Sequence, residues 1–459
     1  MFRISAIAAL AASCGVAAAV PDVICGTLDD VNHYGTTGDI RAYSVGTTAC
    51  NAGDVNLDWY DGAPNHPVIS CTIYKLKDGR LEQLGVTFVK HSFASLQGNA
   101  CGFGCGSGGT FRELGPGCSD PYGAGLNGSQ ARLGPRSEIN AFNGQFVYPF
   151  TTINQSGNTI FKRIQVPMAE MPDTSAQFFV EGQYVIKDEI QPDGTPYIDD
   201  DPNSEWFGRP VNWNNASYER MTVSSSGSAG TTGSTYRGRA AIYAWQDHGL
   251  GTNTPDPSVE VVEVHVPGEG LLHVASKVTD LGDGTYRYDY AVHNQNSDLN
   301  VGSFSVPNAS NTSGHYFSDV DYHDGPDALI SGDDWVPQEG ANGISWACEP
   351  FASNVNANAI RWGTMYNYSF VTDAAPTDGE VTLGMWKSPD IQLTASVQVP
   401  SADICAADLT GDNVLDFFDV SAFLNAFNAQ DSIADFDDNG VYDFFDVSAF
   451  LNAFNAGCP

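Results

Sequence analysis

Residues 259–266 read VEVVEVHV and residues 286–292 read YRYDYAV, and these two segments decide the fold of the central part of the chain. In both, polar residues largely alternate with apolar or aromatic ones, which is the period-two pattern of a β-strand with one buried face. Between them, Asp280-Leu-Gly-Asp-Gly284 supplies the Asp-Gly chemistry of a tight hairpin turn. The sequence therefore predicts antiparallel strands joined by a hairpin in this region.

Strand signals continue on both sides of this hairpin. They recur about every eight to twelve residues, the spacing typical of a β-sandwich. The segments 288–298, 302–307 and 360–370 (YDYAVHNQNSD, GSFSVP and IRWGTMYNYSF) are similar to the small exported β-sandwich domains of bacterial surface proteins. We therefore predict a β-sandwich over residues 257–394.

The N-terminal part of the chain also reads as β structure, because Gly and Pro punctuate short runs rich in Val, Tyr, Thr and Phe. Residues 66–93, HPVISCTIYKLKDGRLEQLGVTFVKHSF, contain two hairpin strands around Lys77-Asp78-Gly79 and resemble an element of planctomycete-type secreted proteins. We predict a β-rich domain with disulfides over residues 20–222. Residues 223–256 follow as a Gly/Ser/Thr-rich linker or a long hairpin loop, and composition alone leaves both interpretations open.

The chain begins with the pattern of a secretory signal peptide. Ile4–Ala12 is apolar, and Ala17-Ala18-Ala19 offers an A-x-A cleavage site before Val20. We therefore predict a signal peptide over residues 1–19 and a secreted, extracellular protein, with Ser13-Cys14 offering a lipoprotein cleavage site as the alternative. No later segment approaches eighteen consecutive apolar residues, so no membrane span is predicted.

Cysteine usage agrees with export. The chain has ten cysteines, and removal of Cys14 with the signal peptide leaves an odd number. Pairing is expected in an oxidising compartment, so at least one thiol stays free or joins a second chain. We predict that Cys348 is unpaired. In the Gly-rich stretch Cys101-Gly-Phe-Gly-Cys105 with Cys118, disulfides are one interpretation and a zinc site with His91 is the other.

The chain is strongly acidic, with a formal net charge of −35 from 55 acidic and 20 basic residues. Eleven of the acidic residues, and no Lys or Arg, fall in residues 401–459, which leaves −24 on the rest of the chain. Such a surface repels nucleic acid and anionic membranes, so neither is an expected partner. The C-terminal segment also repels itself unless cations neutralise it, which couples its folding to metal binding.

Residues 405–459, reached through a short linker at 395–404, contain one loop motif twice. Residues 408–419 read DLTGDNVLDFFD, and residues 435–446 read DFDDNGVYDFFD. Side-chain oxygens stand at loop positions 1, 3, 5, 9 and 12, and position 7 offers a backbone carbonyl, as in an EF-hand calcium loop. The sequence therefore predicts two bound Ca²⁺ ions. The predicted ligands are Asp408, Thr410, Asp412, Val414, Asp416 and Asp419 in the first loop, and Asp435, Asp437, Asn439, Val441, Asp443 and Asp446 in the second.

Each loop has a suitable residue at its sharp turn and the same segment behind it. The turn at position 6 requires a positive φ, for which Gly440 and Asn413 are suited. Residues 416–429 and 443–456 are the same fourteen letters, DFFDVSAFLNAFNA, with apolar residues spaced as on one helix face. In the first copy this face consists of Val420, Phe423, Leu424 and Phe427.

Two loop-then-helix repeats without entering helices resemble the type I dockerin module. The resemblance covers residues 405–459 and implies two Ca²⁺ ions, a small α-helical fold and docking to a cohesin-like module of a scaffold or surface protein. Phe417-Phe418 and Phe444-Phe445 stand at loop positions 10 and 11, where cellulosomal dockerins often carry a small polar pair that helps to choose the partner. This departure leaves the partner open. Cys405 and Cys458 bracket the module, where a disulfide would join its ends.

Other groups of residues are candidates for chemistry. One candidate is a metal site or a pair of glycosidase carboxylates in Asp319-Val-Asp321-Tyr-His323-Asp324, with Asp333 and Asp334. The distance between two carboxylates in space would decide whether they form a retaining or an inverting pair. Lys90-His91 offers a catalytic histidine, and the acidic stretch 192–202 offers a further Ca²⁺ site. Each has a plain alternative as a solvated loop or a structural histidine. Aromatic residues that would stack on sugars if exposed, and belong to the core if buried, are Trp206, Phe207, Trp213, Trp245 and Trp335.

Three functions fit a mainly β chain with two β-rich domains and a small α-helical calcium module. In the first, a secreted calcium-binding protein docks through its dockerin-like module to a cohesin-like or cell-surface partner, and its β-domains bind polysaccharide or have a structural role. The second is a dockerin-bearing, polysaccharide-degrading O-glycosyl hydrolase, although the body shows no recognisable catalytic motif. The third is a structural exoprotein that the calcium pair only caps.

Overall fold

The chain is mainly β, as the sequence predicts, and ends in a helical region. No helix among the residues described below is long and apolar enough to cross a membrane. The predicted signal peptide up to residue 18, and both cysteines of the predicted Cys405–Cys458 bridge, lie outside the described residues. The computed structural model describes residues 19–457 except Ser107, Ala341, residues 403–405, Asn413 and Asp438.

Antiparallel sheets form the N-terminal domain. The bounds of its strands are β1 (Val23–Thr37), β2 (Ile40–Asn51), β3 (Leu57–Asp58), β4 (Val68–Lys77), β5 (Arg80–Val86), β6 (Val89–His91), β7 (Glu113–Leu114), β8 (Ser119–Tyr122), β9 (Leu133–Gly134), β10 (Ile164–Pro167), β11 (Gln177–Val185), β12 (Ala216–Val223) and β13 (Ala229–Tyr236). One sheet contains β1, β2, β8 and β10, and the other has the order β13-β12-β11-β4-β6-β9, with β5 also paired to β4. Strands β3 and β7 form a separate pair. Apolar side chains of both large sheets, such as Val45 and Val180, share one buried core.

A two-sheet sandwich follows, as the strand spacing predicts, but its last strand runs to Pro400, so the predicted end at residue 394 is wrong and most of the predicted linker at 395–404 belongs to the sandwich. Its strands are β14 (Val259–His265), β15 (Leu271–Asp280), β16 (Tyr286–Asn294), β17 (Val301–Pro307), β18 (Ser313–Ser318), β19 (Gln338–Gly340), β20 (Gly343–Ala347), β21 (Thr364–Thr372), β22 (Pro376–Met385) and β23 (Gln392–Pro400). The sheets have the orders β14-β15-β16-β21-β18 and β19-β20-β17-β22-β23. Their inner faces meet in an aromatic core in which the rings of Phe304 and Tyr368 stack at 4.7 Å.

The predicted hairpin lies one strand further along the chain than expected. Strand β14 pairs with β15, and the Asp280–Gly284 turn joins β15 to β16. Gly282 and Gly284 adopt φ values of 79° and 88°, which glycine reaches without steric cost. The sequence pattern missed β15 because its first six residues are buried on both faces and do not alternate.

Residues 223–256 are not a linker, and that interpretation is wrong; the alternative of a hairpin loop is right only for a short turn. The Gly/Ser/Thr-rich stretch forms β13 at the edge of the larger N-terminal sheet, and only residues 224–228 form the turn from β12. Thr-rich sequence suits an edge strand, because β-branched Thr favours extended backbone without requiring burial. Two short helices complete this domain, α1 (Ala124–Asn127) and α2 (Ala244–His248). In α2 the buried Trp245 donates its indole N–H to the Gly79 carbonyl at 2.8 Å.

The two β domains pack directly on each other. Arg80 of β5 forms an ion pair with the buried Asp289 of β16, with 2.7 Å between Nη2 and Oδ1. The buried Arg136 donates Nη2–H to the Trp362 carbonyl at 2.9 Å, and its backbone N–H to the Asp327 carboxylate at 2.8 Å. Buried charges are costly unless they are paired and hydrogen-bonded, so these contacts fix the position of one domain on the other.

Disulfides, rather than zinc, occupy the Gly-rich cysteine stretch. Cys50 is bonded to Cys101, and Cys105 to Cys118, so the zinc interpretation with His91 is wrong. Among the cysteines that the structure describes, Cys348 is free, as predicted. Cys25 and Cys71 are free as well, and both are buried in the core of the N-terminal domain.

Candidate metal centre

The second C-terminal loop brings three carboxylates together. Asp435, Asp437 and Asp446 each place one oxygen within 4.8 Å of the others. Gly440 makes the sharp turn at loop position 6 with φ 76°, as its residue type predicts. Converging carboxylate oxygens repel one another unless a cation lies between them, so this arrangement is suited to a hard divalent ion.

Asp446 is the buried anchor of this loop. One of its carboxylate oxygens accepts from the backbone N–H of Phe436 at 2.8 Å and of Asp437 at 3.4 Å, and the other accepts from Asp443 N–H at 2.8 Å. These hydrogen bonds, the one from Asp443 first, lower the pKa of the Asp446 carboxyl. The group is therefore ionised at neutral pH.

Asp419 has the same role in the first loop. Its carboxylate accepts from the backbone N–H and the hydroxyl of Thr410, each at 3.0 Å, and from Asp416 N–H at 3.0 Å. The Asp416 N–H is the largest cause of its lowered pKa. Asp437 of the second loop has its counterpart in the neutral Thr410, but Asp412 of the first loop has its counterpart in the neutral Asn439, so each loop has four carboxylates at its ligand positions. Position 6, Asn413, lies outside the described residues.

The loop residues also begin the helices. Helix α3 (Phe417–Ala429) starts at Asp416, whose side chain accepts from Phe418 N–H at 2.7 Å. Helix α4 (Phe444–Ala456) starts in the same way at Asp443. In each, the N-cap and the aspartate three residues later form a capping box, which satisfies backbone donors at the helix start. Loop positions 9 and 12 therefore connect the shape of the loop to the order of the helix.

The two helices share a small core. Phe423 and Phe450 are buried together with Ala407 and Ala434. The predicted face is right for Phe423 and for the half-buried Val420 and Phe427, but Leu424 points to solvent and is 55% exposed. A module of this size buries too little apolar surface to be stable through its hydrophobic core alone.

Four phenylalanines of the module lie on its surface. Phe417 and Phe418 are 76% and 67% exposed, and Phe444 and Phe445 are 75% and 66% exposed. Each pair stands at loop positions 10 and 11, beside the carboxylates. Exposed apolar pairs of this kind are unfavourable in water.

The comparisons with known proteins are sparse. No protein-family model matches the chain, and no curated protein matches it either. One solved structure with detectable similarity comes from work on the inhibition of an exo-β-D-glucosaminidase by a glucosamine-configured castanospermine and an amino-australine analogue. The TM-score is 0.14 at 8% sequence identity, over 78% of this chain and 25% of that chain. This chain thus spans about a quarter of that structure, and a similarity of this size indicates neither fold nor function.

The acidic stretch beginning at Asp319 lines a cleft between the two β domains. The cleft has a volume of about 470 Å³ and includes Asp319, Asp321 and His323 on one wall and Glu82 and Glu170 on the other. Burial raises the pKa of Asp319 to about 6, and the negative charges of Asp321 and of a third aspartate, Asp334, act in the same direction. Within the described parts of the chain, no three of these acids converge as ligands, so the metal interpretation finds no support here.

Asp324 belongs to a different set of contacts. Its carboxylate lies 2.8 Å from His323 Nδ1 and accepts from Lys162 N–H at 2.6 Å. Lys90 and His91 are buried, and His91 Nδ1 lies 3.0 Å from His66 Nε2. Burial lowers the pKa of His91 well below its ordinary value. His91 is 1% exposed, which favours the structural alternative over a catalytic role, and His66 is a partner that the sequence did not reveal.

The acidic stretch 192–202 divides between two environments. Asp193 is exposed and bonds only to Thr195, whereas Asp199 is buried and caps Asp201 N–H at 3.0 Å. Asp199 faces a cleft of about 730 Å³ that Trp206 also lines. Of the other aromatic candidates, Trp245 and Trp335 are core residues, Trp213 is half-buried and Phe207 is exposed.

Proposed function

We propose that this chain is an exported calcium-binding protein, and that its C-terminal module docks it onto a cohesin-like protein module or another cell-surface component. The observation that carries the proposal is the convergence of Asp435, Asp437 and Asp446 within 4.8 Å of one another. Each loop offers only oxygen donors, from carboxylates, a hydroxyl or amide and a backbone carbonyl. That donor set suits Ca²⁺ and not the softer metals that take nitrogen or sulfur.

Calcium would supply charge neutralisation at the start of each helix. The module carries eleven acidic residues and no Lys or Arg, so its own charge opposes compaction. Asp416 and Asp443 cap the helices, and Asp419 and Asp446 hold the loops closed through backbone N–H groups. A loop that calcium holds closed therefore keeps the helix that follows it ordered.

The exposed phenylalanine pairs support docking rather than simple capping. A cap that served only its own chain would gain nothing from Phe417-Phe418 and Phe444-Phe445 on the surface. Aromatic residues, Phe among them, are enriched at the centres of protein interfaces. The surrounding carboxylates favour a partner with an apolar recess rimmed by basic residues.

Calorimetric titration of Ca²⁺ into the full chain tests the proposal. We expect two ions per chain, and no binding of this kind in a chain that ends at Pro400. A Ca²⁺-dependent capture of one extracellular protein by the full chain, absent from the shortened chain, supports docking. Equal calcium binding by both chains would contradict the proposal, and calcium binding without any capture would favour the structural cap.

A second candidate function is hydrolysis of a polysaccharide in the cleft between the two β domains. The observation that favours it is Asp319, a carboxyl with a pKa raised to about 6 beside Asp321 in a cleft of about 470 Å³. A general acid and a second carboxylate are what glycoside hydrolysis requires. A hydrolysis screen on polysaccharides, with Asp319→Asn as the paired control, tests it. Equal activity in the two chains would exclude this cleft.

A further inference from the structure

The cleft of about 730 Å³ on the N-terminal domain is strongly anionic. Its walls carry the carboxylates of Asp54, Asp199, Asp200, Asp201 and Glu205. The one basic residue of the described lining is Arg237, and its guanidinium is already bonded to the carbonyls of Gly26 and Cys101. The walls of the cleft have a low dielectric constant and carry negative charge, which concentrates the electrostatic field inside the cleft. The cleft therefore favours a positively charged group.

The chain enters this cleft at Val20. Val20 is only 7% exposed, whereas Ala19 before it is exposed. The nitrogen of Val20 lies 2.7 Å from Oδ1 of Asp54, and the Val20 carbonyl accepts from Asp54 N–H at 3.0 Å. Asp22 continues the pairing, since its carbonyl accepts from Ala52 N–H at 2.9 Å. The bond between Ala19 and Val20 is therefore where the chain passes from solvent into the acidic cleft.

One oxygen of a buried carboxyl in the same cleft lacks a partner among the described residues. Asp22 is 4% exposed, and its Oδ2 accepts from Asn214 Nδ2 at 3.2 Å, but no described residue donates to its Oδ1. Burial raises the pKa of Asp22 to about 7, and the nearby charge of Asp199 contributes in the same direction. An unpaired buried oxygen is costly, so a positively charged donor in this cleft would stabilise the domain.

We propose that the cation of this cleft is the α-ammonium group of Val20 itself, formed by hydrolysis of the Ala19–Val20 peptide bond. Water adds across the bond, leaving a carboxylate on Ala19 and an ammonium group on Val20. The proposal rests on the export part of the proposed function, because Ala17-Ala18-Ala19 is the predicted cleavage signal. Cleavage turns one neutral N–H facing Asp54 into a charged group with three donors.

A metal ion is the poorer occupant. Across the described residues, three carboxylates converge for a metal only in the second C-terminal loop, and not in this cleft. The acids here are instead spread around the entering chain end. An ammonium group on Val20 would lie 2.7 Å from Asp54, and the other carboxylates around the cleft would attract it as well.

The first test is the N-terminal sequence of the exported protein, which we expect to begin at Val20. The second compares the melting temperature of chains that start at Val20 and at Ala18. At pH 7 the Val20 chain should melt about 2 °C or more higher, since only it pairs an ammonium group with Asp54. Asp54→Asn should remove this difference, whereas Asp193→Asn, outside the cleft, should leave it unchanged.

The outcomes separate this inference from the proposed function. An exported chain that begins at another residue, or a difference in melting temperature that persists in Asp54→Asn, overturns the inference and leaves the calcium module untouched. Retention of the chain inside the cell overturns both the inference and the export part of the proposed function. The calcium titration reports separately on the C-terminal module.

Discussion

The rings of Phe423 and Phe450 stack face to face, with centroids 4.1 Å apart and planes 6° apart. The two residues occupy the same position in the two C-terminal repeats. Phe436 closes the stack with its edge against both rings, at 5.6 Å and 5.4 Å. Equivalent residues of the two repeats therefore meet at the centre of the module.

Truncation of this pair should unfold the module while the body stays intact. Phe423→Ala removes a buried ring and should lower the free energy of unfolding of the module by about 3 to 4 kcal/mol. Phe450→Ala should have the same effect, because the two rings are equivalent. Far-ultraviolet circular dichroism during denaturation measures it. Leu424→Ala, at an exposed position of the same helix, is the control, and an equal loss there would contradict the packing argument.

Each loop should bind its own ion. Asp446→Asn replaces a buried, charged ligand with a neutral one, so we expect calcium affinity of the second loop to fall at least about tenfold while the first loop still binds. Asp419→Asn should give the converse result. Calorimetry distinguishes one remaining ion from two. Glu380→Gln, on the sandwich, should change neither site.

Partner binding should survive the loss of one repeat. If the two repeats are equivalent, Asp419→Asn alone should weaken Ca²⁺-dependent capture only partly, and the double change with Asp446→Asn should abolish it. Surface plasmon resonance with the captured partner gives the dissociation constants. Complete loss from the single change would show that one repeat alone forms the contact.

The exposed phenylalanines should affect docking and not folding. Replacing Phe417 and Phe418 by Ser removes two side chains that are mostly in water, so the thermal transition should shift little. The same change in both repeats should reduce partner binding strongly, since aromatic anchors dominate such contacts. Unchanged binding after all four replacements would place the docking surface elsewhere on the module.

The sandwich should lose stability in acid through a buried histidine pair. His293 stacks on His273 at 5.7 Å, neither of its ring nitrogens has a hydrogen-bond partner in the described part of the chain, and burial lowers its pKa to about 3. Below pH 6.5, the ordinary pKa of histidine in an unfolded chain, only the unfolded chain takes up the proton. The free energy of unfolding therefore decreases as the pH is lowered. His293 alone contributes about 1.4 kcal/mol per pH unit to this slope between pH 6 and 4, and His273, whose pKa burial also lowers, adds to it.

Denaturant titrations from pH 7 to pH 4 measure this slope. His293→Gln should flatten it, because the substituted side chain does not titrate. His265→Gln, at a position that is 58% exposed, is the matched control and should leave the slope unchanged. A slope that is the same in both variants and the parent would contradict the role of the pair.

Local sequence patterns predicted much of this chain because turns and helices depend mainly on residues that are close in sequence. The loop spacing predicted the turn at Gly440, and the repeated segment predicted both C-terminal helices. The same patterns failed at β15, whose buried start does not alternate, and at β13, whose Gly and Ser content resembles a linker. Burial on both faces and pairing at a sheet edge depend on neighbours that are distant in sequence.

The sequence by itself determined the mainly β class and the positions of the oxygen-bearing residues in the two loops, and it predicted the unpaired Cys348 but not the free thiols of Cys25 and Cys71. Only the tertiary structure decided which acids share a site. Asp22, Asp54 and Asp199 meet in one cleft although up to 177 residues separate them, and Asp319 faces Glu82 across the domain boundary. Electrostatic coupling and desolvation act through space, so no spacing along the chain encodes them.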